Sequence, residues 1–166
     1  YYEFCQESVA HLVPIHENLI VLRTMSKWAG LAGLRVGYAI ANPELVHHII
    51  DIKSPYNVST AAEAALLASL GDARTLLDRI EQNVQERERL FGLLQEINGL
   101  KPWPSGGNFI LCEFEPGHKD EVYKGLAARG IFVREFSSPR LSNTFRMSVG
   151  TPDQTDKVIS VLKELT

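Results

Sequence analysis

Two short apolar runs dominate the first quarter of the chain. Residues 19–23 include Leu19, Ile20, Val21 and Leu22, and residues 35–41 include Val36, Tyr38, Ala39, Ile40 and Ala41. Runs of this length without polar alternation read as strands buried on both faces, and such strands belong to a parallel or mixed sheet of an α/β domain. Nothing close by in sequence supplies further partners, so this reading places them beyond the chain. The loop joining the runs, residues 24–34, then lies at strand ends, where α/β sheets bind ligands.

That loop carries an unusual set of side chains: Thr24, Ser26 and Lys27, with Arg35 opening the second run. Leu31, Leu34, Val36 and Tyr38 leave little polar surface around Lys27, while Gly30, Gly33 and Gly37 permit close backbone approach. An ammonium desolvated there, beside a second cation, is partly neutral at pH 7 and nucleophilic towards an aldehyde. Thr24 and Ser26 offer hydroxyl donors, and Arg35 offers a permanently charged fork suited to a phosphate dianion. A solvated loop lysine and a surface arginine are the commoner arrangement for such residues taken singly. The apolar flanks favour the alternative, in which amine and donors hold the two ends of one phosphorylated aldehyde.

The rest of the chain has clear punctuation. Asn42, Pro43 and Glu44 predict a helix start leading into 45–52. Residues 53–57 break it, and Ser59 to Glu63 has the spacing of a cap with an acidic first turn, predicting a helix over 61–70. An apolar stripe through Leu76, Ile80, Val84, Leu90, Leu94 and Ile97 predicts a long helix over 73–97, expected to bridge two domains. Its mixed-sign stretch, 85–89, is most simply a solvated face. Beyond the Pro- and Gly-rich residues 101–107, the pattern predicts strands at 108–114, 131–133 and 144–149 and helices at 119–128 and 152–165. Together these predict a compact α+β domain with helices on a small, largely antiparallel sheet.

Composition narrows the function classes. The 166 residues are 45% apolar and 22% charged, as in an ordinary soluble globular protein. Seventeen basic against twenty acidic residues, a formal charge of -3, and no basic run leave no footprint for a nucleic acid. The apolar stretches are too short to span a bilayer and no signal peptide opens the chain, so the expectation is a cytoplasmic protein without membrane partners. Cys5 and Cys112 read as reduced, buried thiols. His47 and His48 are adjacent and diverge on a helix, and His11, His16 and His118 lack partners at ligand spacing, so no metal site is expected. Gly-x-Ser-x-Gly, Walker and dinucleotide-binding motifs are absent. Arg146 stands on an apolar run, Phe145 to Val149, with no local carboxylate to pair it, so an anionic substrate is its expected partner.

The Ser26-Lys27 pair followed by Arg35 resembles the lysine segment of the fold-type I aminotransferases that use pyridoxal phosphate. The likeness runs along the chain, through Tyr1-Tyr2-Glu3-Phe4-Cys5, Pro55-Tyr56-Asn57-Val58-Ser59, Ser105-Gly106-Gly107-Asn108-Phe109-Ile110-Leu111, Val133-Arg134 and Phe145-Arg146-Met147-Ser148-Val149-Gly150. Within that superfamily it is nearest the histidinol-phosphate aminotransferase branch. The resemblance implies an α/β fold in which residues 1–72 are the carboxy-terminal part of a large cofactor-binding domain. Residues 73–166 would then form a complete α+β small domain that includes the bridging helix.

The resemblance further implies pyridoxal 5'-phosphate as cofactor, Lys27 as the catalytic amine, and Tyr1, Thr24, Ser26, Lys27 and Arg35 as its contacts. Arg134 and Arg146 would face the anionic end of the substrate, although for Arg134 taken alone a pairing with Glu135 is as plausible. A dianion gains more than a monoanion from a second guanidinium, which suits histidinol phosphate. The partners implied are a small-molecule amino donor, a 2-oxo acid such as 2-oxoglutarate, and a second copy of the chain in a homodimer. The ring stack and the carboxylate at the pyridine nitrogen would come from a preceding segment. Alternatives are a threonine-phosphate decarboxylase, an aromatic amino acid aminotransferase, or a non-catalytic fragment that binds no cofactor by itself.

Overall fold

In the computed structural model, which describes residues 1–166, contacts divide the chain within one helix. Residues 1–80 form one unit and residues 81–166 the second.

The first unit begins with a single helical turn, α1 (Tyr2–Cys5), closed by Gln6 in the left-handed region at φ 57°. A 3-10 turn, Ala10–Ile15, leads to β1 (Ile20–Thr24), which pairs antiparallel with β2 (Gly37–Ala41) from Ile20↔Ala41 to Thr24↔Gly37. Gly37 is required by this pairing: a Cβ there would stand 2.5 Å from the Arg23 carbonyl oxygen. The two apolar runs were expected to be buried in a parallel or mixed sheet. Within these residues they pair antiparallel with each other, as a mixed sheet allows, but their apolar side chains are exposed, Leu22 at 76% and Tyr38 at 54%. Two strands alone cover neither of their faces.

The connecting loop folds over a small core of Met25, Ala29, Val36 and Ala62, with Trp28, Leu31 and Leu34 packed against it. Helix α2 (Pro43–Ile52) starts where predicted: the Asn42 side chain accepts from the Glu44 N–H at 3.0 Å. Helix α3 (Thr60–Gly71) likewise starts at Ser59, whose hydroxyl accepts from the Ala62 N–H at 3.2 Å. Each cap satisfies a donor that the first turn would otherwise orphan.

Helix α4 (Ala73–Gln95) spans the division between units. The second unit's sheet has the order β3–β4–β6–β5, formed by β3 (Leu100–Trp103), β4 (Phe109–Phe114), β5 (Arg134–Glu135) and β6 (Thr144–Ser148), with every pair antiparallel. With α5 (Lys119–Ala128) and α6 (Pro152–Leu165), it encloses a core around Leu90, Leu94, Ile110, Leu126, Phe145 and Leu162. Burial alternates along β4, as a half-buried antiparallel strand demands. Thr151 and Gln154 form a reciprocal capping box at the start of α6. The small, antiparallel α+β arrangement is the one predicted.

Three local expectations give way. Residues 131–133 are not a strand, because the end of α5 claims them. Ile131 N–H donates to Leu126 O and Gly130 N–H to Ala127 O, both at 3.0 Å, with Gly130 at φ 74°; this helix-ending motif delays the strand to Arg134. Residues 100–103, hidden by Pro102 and Pro104, form edge strand β3, where a proline costs no ladder bond that the sheet needs. Within 85–89, Glu86 and Arg87 are buried rather than solvated, Arg87 donating to Gly107 O at 3.2 Å.

Candidate active site

The lysine loop gathers the expected anion donors. Ser26 N–H donates to Thr24 Oγ1 at 3.1 Å, and Thr24 Oγ1 in turn donates to Ser26 Oγ at 2.8 Å. This relay consumes the Thr24 proton and leaves the Ser26 hydroxyl proton to donate outwards, polarised by the bonds behind it. Arg35 sits in the left-handed region at φ 55°, and one guanidinium N–H is tied to Ala32 O at 2.9 Å. Thr24, Ser26 and Arg35 line one open groove of about 480 Å³ together with Val36, Gly37 and Tyr38. A bulky residue held at positive φ is strained, and here the strain delivers a cation to the groove.

Lys27 is exposed and makes no side-chain hydrogen bond or ion pair. Its neighbours Met25 and Ala29 turn into the core, at 2% and 9% exposure, and send the lysine the other way. The apolar surroundings expected for the amine are therefore not supplied by this chain alone.

Tyr1 precedes α1, is half exposed, and lines a second groove with Tyr2, Ser8, Arg23 and Thr24. The sequence reading passed over Arg23. Its guanidinium lies 3.8 Å from the Tyr2 ring centroid and donates to Ser8 Oγ at 2.7 Å. Arg23 thus ties the Tyr1–Ser8 segment to the strand that leads into the lysine loop. The available signal was a lone arginine at the end of an apolar run.

In the second unit, strand register places Arg134 of β5 directly opposite Arg146 of β6. Arg146 is half-buried, its guanidinium lies 4.9 Å from the Phe109 ring centroid, and its buried Nε makes no hydrogen bond. Arg134 is exposed and has no ion-pair partner, while the Glu135 carboxylate, on the other face of the strand, is engaged by Lys119. Like charges facing across strands repel unless an anion lies between them, so this register costs stability when nothing lies between the two guanidinium groups. Among the remaining nucleophiles, burial pushes the Cys112 thiol up to about 12, which leaves it inert at neutral pH. No cluster of three or more histidine, cysteine or acidic side chains is placed to hold a metal ion.

A phosphorylated aldehyde needs an amine and a set of hydroxyl and guanidinium donors, and residues 24–35 carry both: Thr24, Ser26 and Arg35 share one groove, and Lys27 follows Ser26 in sequence without lining that groove. The donor chemistry fits pyridoxal phosphate.

Comparisons with known proteins agree along the whole chain. The family described as "Aminotransferase class I and II" matches residues 1–162. The histidinol-phosphate aminotransferase of Dehalococcoides mccartyi is 42% identical over 165 residues, covering 99% of this chain and 46% of the relative. That of Roseiflexus castenholzii is 45% identical over 168 residues, covering 99% and 45%, and the chloroplastic enzyme 1 of Arabidopsis thaliana is 47% identical over 159 residues, covering 95% and 38%. This chain therefore spans less than half the length of these curated relatives.

Among solved structures, a histidinol-phosphate aminotransferase from Clostridium acetobutylicum superposes with TM-score 0.86 at 23% identity, covering 99% of this chain and 52% of that one. The Sinorhizobium meliloti enzyme, solved in complex with pyridoxal-5'-phosphate, has TM-score 0.76 at 28% identity over 90% of this chain and 41% of that one. With the lysine loop, the small antiparallel sheet and the family match in agreement, the chain belongs to the class I and II aminotransferases.

Proposed function

We propose that this chain is the carboxy-terminal portion of a pyridoxal phosphate-dependent histidinol-phosphate aminotransferase, exchanging an amino group between histidinol phosphate and 2-oxoglutarate in histidine biosynthesis. The observation that carries the substrate assignment is the facing pair Arg134 and Arg146 on neighbouring strands, two cations suited to a phosphate dianion. Relatives at 42–47% identity that bear this name support the same reading.

The cofactor, when bound, supplies the electron delocalisation that makes the proton on the amine-bearing carbon acidic. Lys27 Nζ would hold the aldehyde end of the cofactor, and the same amine would take up and return the proton of the amine-bearing carbon. Ser26 Oγ and the Arg35 guanidinium bind the phosphate, fixing the position from which Lys27 acts. Tyr1 donates its phenol hydrogen to the cofactor's ring oxygen. Arg146 binds the anionic end of either substrate, and Arg134 adds the second cation that a phosphate ester uses. The functional unit in this reading is a homodimer.

The test is made on the full-length enzyme. Histidinol phosphate should be a far better amino donor than phenylalanine or threonine phosphate, and Arg134→Ala should damage its use more than the use of glutamate. Preference for phenylalanine, or carbon dioxide release from threonine phosphate, would replace the named substrate while leaving the family in place.

A further inference from the structure

Lys119 opens α5, and its side chain is only 9% exposed. A buried ammonium is costly unless it is paired, and this one has two carboxylates: Asp120 at 2.8 Å and Glu135 of β5. Those two hydrogen bonds, Asp120 first, hold its proton more tightly than usual. Glu135 is half of a strand just two residues long, at the edge of the sheet and paired only with β6. Its cross-strand partner is the fully buried Phe145, whereas Arg134 faces Arg146. Since side chains alternate along a strand, Glu135 and Arg134 leave β5 on opposite faces. The ion pair to Lys119 is the only side-chain bond that β5 makes. A two-residue edge strand frays readily, and repulsion between the opposed guanidinium groups pushes this one away from β6.

We propose that Lys119 is a positioning residue: through Glu135 it clamps β5 against β6 and so keeps Arg134 opposite Arg146 for a phosphate-bearing substrate. The proposal rests on the reading in which those arginines bind that substrate's dianion.

In the full-length enzyme, Lys119→Met should raise KM for histidinol phosphate by about tenfold while kcat and the KM for glutamate stay within about twofold. Lys119→Arg, which keeps a buried cation, should restore most of the loss. Glu135→Gln breaks the clamp from the other side while leaving Lys119 its bond to Asp120, and should reproduce the selective effect even if Lys119→Met folds poorly. Hydrogen exchange of the β5 amides should quicken in both clamp-breaking variants. Equal rises in both KM values, or unchanged β5 exchange, would overturn the clamp. Arg134→Ala, run in parallel, separates the two ideas: if it shows no discrimination, the substrate reading fails, and the clamp stands or falls on β5 exchange alone.

Discussion

Replacing Arg35 separates what its backbone costs from what its side chain does. The residue holds φ 55° and ψ 40°, a conformation that disfavours any Cβ by about 1 kcal/mol. One guanidinium N–H is committed to Ala32 O at 2.9 Å, and the remaining N–H groups make no contact within the chain. A charge-assisted bond to phosphate contributes about 1.5–3 kcal/mol. Because Arg35 is exposed, the low end applies, and loss of the guanidinium should weaken pyridoxal phosphate by about 2 kcal/mol, or roughly thirtyfold in Kd. Arg35→Ala and Arg35→Gly should lose that affinity equally. They should differ in stability, with the glycine variant more resistant to urea by about 1 kcal/mol, the reverse of their usual order. Absorbance titration of the full-length variants with pyridoxal phosphate and with phosphate-free pyridoxal measures the first effect, and urea unfolding of the cofactor-free proteins the second. Equal weakening of both ligands would refute phosphate binding by Arg35. A less stable glycine variant would refute the strain argument.

Gly37→Ala sets a Cβ 2.5 Å from the Arg23 carbonyl and 3.4 Å from Thr24 Cα, so backbone must move. Urea unfolding should show a loss of about 1–3 kcal/mol, with weaker cofactor phosphate binding because Thr24 shifts too. Burial pushes the Glu86 carboxyl up, but the Arg89 guanidinium, with Nε 3.1 Å from both oxygens, holds it below the ordinary glutamate range. Its stabilisation is present at neutral pH and is lost as pH falls through that lowered value. The urea-midpoint advantage of wild type over Glu86→Gln should therefore shrink between about pH 5 and pH 3, and a pH-independent difference would refute it.

Helix starts were legible because their signals are local. Asn42 and Ser59 each predict a cap from one side chain and the first turn that follows it. The strand at 131–133 failed for a reason equally local but harder to weigh. Gly130 ends α5 by a motif that captures the Ile131 N–H, so an apolar run with strand-like composition closes a helix instead. Strand β3 was masked by Pro102, whose tolerance depends on an edge position that only the sheet order reveals. Burial of Glu86 and Arg87 depends on contacts from distant segments, Gly107 among them, that no helical wheel contains.

At the candidate site, residue types were readable and relations were not. The sequence names Thr24, Ser26 and Arg35, yet the hydroxyl relay and the left-handed Arg35 emerge only with the fold. Arg134 facing Arg146 requires the strand register across the connection of residues 136–143. The apolar setting foreseen for Lys27 does not arise within these residues, since its hydrophobic neighbours pack beneath it.

The central claim is that Lys27 carries the cofactor. Full-length enzyme should be incubated with pyridoxal phosphate, reduced with borohydride, digested and mapped by mass spectrometry. The account predicts one phosphopyridoxyl group per chain, on Lys27, with transamination abolished by the same treatment and with no stoichiometric labelling in Lys27→Ala. Stoichiometric labelling of another lysine, or near-native turnover by Lys27→Ala, would contradict it.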